Sequence, residues 1–117
     1  MRGEIAAADF PHREHVRMAF EMLKRHDFAE AVLHYSHALR GMAARAGQPQ
    51  AFHQTITVAF LALIAERMAA GVGADFADFA ARNAELFDRA LLERWYRREQ
   101  LASPLARESF VLPDPRA

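Results

Sequence analysis

Residues 50–70 read Gln50-Ala51-Phe52-His53-Gln54-Thr55-Ile56-Thr57-Val58-Ala59-Phe60-Leu61-Ala62-Leu63-Ile64-Ala65-Glu66-Arg67-Met68-Ala69-Ala70. Placed on a helix, Phe52, Ile56, Val58, Ala59, Phe60, Leu61, Leu63, Ile64 and Met68 cover most of the circumference. A helix that is apolar nearly all round is buried nearly all round. The most apolar part, Ile56 to Ala65, contains Thr57 and falls far short of the about 20 residues needed to cross a bilayer. The stretch is therefore expected to form the central helix of an all-α bundle, running from about Gln50 to Ala70.

The flanking segments supply helices to pack around it. Upstream, Pro11 is tolerated in the first turn of a helix opened by Asp9 and running to about Arg25. Its stripe is Val16, Ala19, Phe20 and Leu23. Asp27-Phe28-Ala29-Glu30 reads as a capping box, so a second helix is expected from Phe28 to about Ala46. Its buried stripe is Phe28, Val32, Tyr35, Leu39 and Met42, and Gly47 is placed to end it. Downstream, Gly71-Val72-Gly73 is a break, and Asp75 caps a short helix over Phe76 to Arg82. Asn83 is expected to cap a further helix from Ala84 to about Arg98, burying Leu86, Phe87, Ala90, Leu91 and Trp95. Ser103-Pro104 starts a last short turn. The tail from Phe110 to Ala117 contains Pro113 and Pro115 and is expected to be extended, with Phe110, Val111 and Leu112 docked on the bundle, on a groove or on a second subunit. The fold class is thus a helical bundle of three main helices, a shorter C-terminal helical region and an extended tail.

Composition bounds the rest. A chain of 117 residues fits one domain spanning residues 1–117, and 52% apolar content suffices for a core. Fifteen acidic residues balance fifteen basic ones, which argues against gripping phosphate backbones and so against a nucleic-acid partner. The same balance removes self-repulsion and favours a homo-oligomer. There is no cysteine, which excludes disulfides, thiolate metal sites and cysteine nucleophiles. Met1 to Asp9 carries no long apolar core of the kind a signal peptide needs, so a cytoplasmic protein without a membrane partner is expected.

Chemistry, if there is any, rests on the histidines. His12 lies at the centre of the first helix's apolar stripe and His15 one turn on, at its edge; residues three apart are neighbours on a helix. His53 falls within the apolar arc of the central helix, and Glu66 at the margin of that arc. An up-down-up order runs the first and third helices in the same direction and brings His12, His15 and His53 to one end, with Glu66 or Glu14 completing a shell. Two or three histidines and a carboxylate suit a first-row divalent metal ion. The same group suits a metal-free small-molecule ligand or general acid–base work. Against these stands the plainer reading, in which each histidine is a core or cap residue satisfied by one hydrogen bond, in a non-catalytic interaction protein. His-x-x-His lacks the spacing of the strong zinc helix motif. Whether the protein is an enzyme stays open.

The remaining charged and polar residues read as structural. Arg67 falls within the central arc and requires a partner there. His34 and His37 belong to a solvated face, and His26 lies near a helix C-terminus, where its cation is favoured. Arg89, Arg94, Arg97 and Arg98 accompany Trp95 and Tyr96, but Glu93 and Glu99 interrupt them, which describes a solvated face with local ion pairs. No serine sits in a nucleophile elbow.

Phe10-Pro11-His12-Arg13-Glu14-His15-Val16-Arg17, His53-Gln54-Thr55-Ile56-Thr57, Leu63-Ile64-Ala65-Glu66-Arg67, Leu101-Ala102-Ser103-Pro104 and Phe110-Val111-Leu112-Pro113-Asp114 together resemble a group of small, uncharacterised bacterial helical proteins of this length. The resemblance spans nearly the whole chain. It implies a complete protein, and it implies no activity or cofactor.

Overall fold

Asp27 opens the second of three long helices by accepting the Glu30 N–H at 2.8 Å, and the helix then runs over Phe28–Arg45 as α2. It follows α1, Phe10–Arg25. The computed structural model describes residues 10–71, 75–88 and 90–115. Asp9 and Val72–Gly73, expected at a helix start and a break, lie outside them, as does Arg89. The end of α2 is a Schellman motif. Gln48 N–H donates to Ala43 O and Gly47 N–H to Ala44 O, with Gly47 at φ 76°, a conformation that needs no Cβ.

A 3-10 turn over Pro49–Ala51 leads into α3, Gln54–Ala70. The central helix therefore starts four residues later than the apolar pattern suggests. His53 is its N-cap: Nδ1 accepts the Ile56 N–H at 3.1 Å, and the residue's extended backbone (φ −135°, ψ 111°) separates the turn from the helix. As expected of a central helix, α3 meets α1, α2 and the C-terminal segments. Thr55, Thr57, Phe60, Leu61 and Ile64 are its buried residues.

One core joins the elements: Val16, Ala19 and Phe20 from α1, Ala31 and Tyr35 from α2, Phe60, Leu61 and Ile64 from α3, and Phe79, Leu86, Leu91, Leu92 and Tyr96 beyond. Leu61 is fully buried at its centre. Burying a side chain of this size stabilises by about 1.5–3 kcal/mol. Polar ties reinforce the packing: Tyr35 Oη donates to His15 O at 3.0 Å, and Gln54 Nε2 donates to Ser36 Oγ at 3.2 Å. Phe28, expected in the α2 stripe, is exposed; Ala31 takes the inward position beside Tyr35.

Asp75 caps α4, Phe76–Arg82, by accepting the Asp78 N–H. The helix expected over residues 84–98 is instead broken into 3-10 turns at Ala84–Phe87 and Leu91–Arg94, followed by α5, Arg98–Leu101. Two local causes are visible. Asn83 terminates α4 and does not start a helix: its Nδ2 donates to Phe79 O, and its Oδ1 accepts from Arg67. Asp88 has extended backbone (φ −89°, ψ 116°), and its carboxylate accepts the Ala90 N–H at 2.9 Å, so the backbone turns at that point. The changed phase turns Leu92 and Tyr96 inward and leaves Ala90 exposed and Trp95 41% exposed.

Ser103 caps α6, Pro104–Glu108, accepting the Ala106 N–H. The tail then docks on its own bundle. Buried Thr55 donates to Ser109 O at 2.7 Å and accepts the Val111 N–H at 3.1 Å. Tyr96 Oη donates to Val111 O. The Gln100 amide brackets the chain, donating to Leu112 O and accepting the Asp114 N–H. Arg97 pairs with Asp114. Among the described residues, no helix is long and apolar enough to cross a membrane.

Candidate functional site

His12 and His15 lie one turn apart on α1, and both line a cavity of about 240 Å³ between α1, α2 and α3. Val16, Leu39, Ile56, Phe60 and Ile64 give it an apolar wall, and Tyr35 and Thr57 complete it. The two histidines are half-buried, the remaining wall mostly more so.

The rings are held differently. His12 Nε2 lies 3.1 Å from Leu86 O. A carbonyl only accepts, so Nε2 carries the proton. The His12 ring also stands edge-on to Phe60, with centroids 5.5 Å apart, and to Phe87 at 6.4 Å. The chain beyond α4 thus fixes its orientation. For His15, burial lowers the pKa below its ordinary value of 6.5; neighbouring His12 lowers it further, and Glu14 partly offsets both. His15 is therefore neutral at physiological pH. Tyr35 is buried, which pushes its phenol well above the usual range and keeps it protonated.

The structure brings together only part of the predicted set. His53 is buried, 8% exposed, and both of its nitrogens are engaged within the fold. Nδ1 accepts from Ile56 N–H at 3.1 Å, and Nε2–H donates to Leu101 O at 2.7 Å. A metal ligand must offer a nitrogen lone pair, and the one lone pair of His53 is spent on the helix cap. His12 meets α3 at Phe60, seven residues beyond His53, an offset of about 10 Å along the axis. Glu66 is exposed. It lines a separate groove with Leu63, Leu92, Trp95, Tyr96 and Phe110. Glu14 acts on His15 only electrostatically. Among the described residues, no group of three or more histidine or acidic side chains is placed to hold a metal ion.

The other singled-out residues are structural. Arg67 finds its partners in Glu85 Oε2 at 2.6 Å and Asn83 Oδ1 at 3.1 Å. That pairing holds the Glu85 carboxyl below its ordinary value. His34 and His37 are exposed. His34 stacks on His26 at 4.6 Å, and His26 lies 3.7 Å from Glu30. The basic segment is consumed in ion pairs of Arg98 with Glu93 and Arg97 with Glu99 and Asp114.

Thr57 and Leu39 are site residues that the periodicity alone does not flag. Nothing in the spacing shows that Tyr35 ties its hydroxyl to the backbone of His15, or that the Leu86 carbonyl orients His12. These links cross between elements and leave no local signature. The fold and site thus define an all-α bundle with a histidine-rimmed cavity. The chain matches no known family, no curated protein and no solved structure.

Proposed function

We propose that this protein binds a small molecule in the cavity rimmed by His12 and His15. The observation that carries the reading is the placement of two titratable rings, one turn apart, at a cavity whose wall is otherwise largely hydrocarbon. Few polar groups converging on an apolar concavity is the usual composition of a ligand site. The metal form of the reading is less well supported. His12 and His15 supply two ligands at most, and a catalytic zinc commonly takes three from the protein.

The test is a screen of uncharged and charged single-ring compounds by imidazole-detected NMR on the full chain. Alongside it, metal content is measured on untagged protein. Binding that disappears in His12→Ala and His15→Ala with helix content unchanged is expected. Near-stoichiometric metal lost in the same variants would restore the metal reading, and normal binding in both variants would move the site elsewhere.

A second reading, self-association without chemistry, is favoured by the exposed apolar side chains of the C-terminal region. Leu105 is 65% and Leu112 75% exposed, beside Trp95 and Phe110. A second copy is the natural occupant because the chain has no net charge to oppose it. Sedimentation analysis showing only monomer at high concentration would remove this reading.

A further inference from the structure

The hydrogen-bonding state of the cavity wall restricts what can enter it; this inference rests on the ligand-binding reading above. No Asp, Glu, Lys or Arg lines the cavity. An ionised ligand would lose hydration there without gaining a counter-charge. The protons of the lining hydroxyls are already committed. Tyr35 O–H donates to His15 O, and Thr57 O–H donates to His53 O at 2.7 Å. The Nε2–H of His12 is engaged with Leu86 O. What Tyr35 and Thr57 retain is oxygen lone pairs, and burial keeps His15 neutral, with one nitrogen lone pair. The polar part of the wall is thus richer in acceptors than in available donors, and the rest is aliphatic or aromatic. An apolar cavity of about 150 Å³ is known to accept benzene, so one of about 240 Å³ has room for a substituted ring.

We infer that the site takes a neutral, mainly hydrocarbon molecule of single-ring size that donates one hydrogen bond, the class of a phenol or a small alcohol, and discriminates against carboxylates and ammonium ions. The donated proton goes to His15, the half-buried acceptor at the rim, and the ring lies against Phe60 and Ile56.

The test is a set of matched probes titrated into the full chain above pH 6.5, the ordinary value for a histidine, with His15 followed by NMR. Phenol donates, anisole only accepts, toluene does neither, and benzoate and benzylamine are charged. Phenol is expected to bind about tenfold more tightly than anisole and toluene, the worth of one hydrogen bond, and the charged pair more weakly still. In His15→Leu, phenol loses about that factor while toluene does not. Equal binding of phenol and toluene, or tighter binding of benzoate, would overturn the ligand class and leave the cavity reading standing. No saturable binding of any probe would overturn both. If His15→Leu does not fold, the rank order in the unaltered chain decides alone.

Discussion

Residues 10–70 and residues 83–115 solve the same problem in opposite ways. In the first region three long helices satisfy their own backbones, and side chains are left to build a core and a cavity. In the second the helical pieces are four or five residues long, and side chains satisfy the backbone. Thr55, Tyr96, Gln100 and His53 between them bond six main-chain groups of residues 101–114. A buried backbone group without a partner costs free energy comparable to a lost hydrogen bond, so polar residues facing this region are consumed by it. The lesson concerns the histidines. His12 and His15 face the self-sufficient helices and retain a place at a cavity. His53 faces the region that needs donors and acceptors, and it serves there as cap and cross-link.

The comparison can be broken first at the shared core. Leu61→Ala is expected to cost about 2–5 kcal/mol, read as a lower denaturation midpoint, and to destabilise both regions together. A transition in which one region unfolds separately would show that they are not one cooperative unit. Next is His53→Leu, which removes a cap and a cross-link and is expected to cost about 2–3 kcal/mol. His53→Asn, which can still cap, should recover about 1 kcal/mol of this. Equal losses in the two variants would mean that capping contributes nothing. Thr55→Val leaves Ser109 O and Val111 N–H without their partner and is expected to cost about 1–3 kcal/mol. Faster amide exchange at Val111, with α1 and α2 unaffected, is the expected signature.

The smallest effect is on pH dependence. The folded-state pKa of His15 lies below its ordinary value of 6.5, so below that pH the unfolded chain binds the proton more readily. The contribution of neutral His15 is fully present above pH 6.5 and is lost as pH falls from there through the lowered folded value. His15→Gln should flatten this part of the stability profile, and an unchanged slope would place the lowered pKa in doubt.

The regions also differ in how well the sequence describes them. Long-range periodicity and local capping give α1, α2 and α4 to within a residue or so at the ends described, because Asp27, Gly47 and Asp75 act on their nearest neighbours. The same reasoning starts α3 too early. A histidine on an apolar arc reads as helix interior, and its capping role depends on Nδ1 facing Ile56 N–H. It turns residues 84–98 into one helix because Asp88 and Asn83 are ordinary residues on a wheel; only their actual bonds, to Ala90 N–H and to Phe79 O and Arg67, show that they bend the chain. Once the phase is lost, Trp95 and Tyr96 exchange roles. Of the site, the His12–His15 pairing follows from spacing alone. The positions of His53 and Glu66 depend on tertiary contacts with residues 91–110, which no local pattern encodes.

The central claim is that His15 stands at a ligand cavity while His53 belongs to the framework. It is tested most directly by following both imidazoles in one ¹H–¹⁵N spectrum as phenol is added to the full chain. The account predicts a saturable shift of His15, with His53 unmoved and keeping its proton on Nε2. A spectrum in which His53 moves with His15, or in which neither responds, would contradict it.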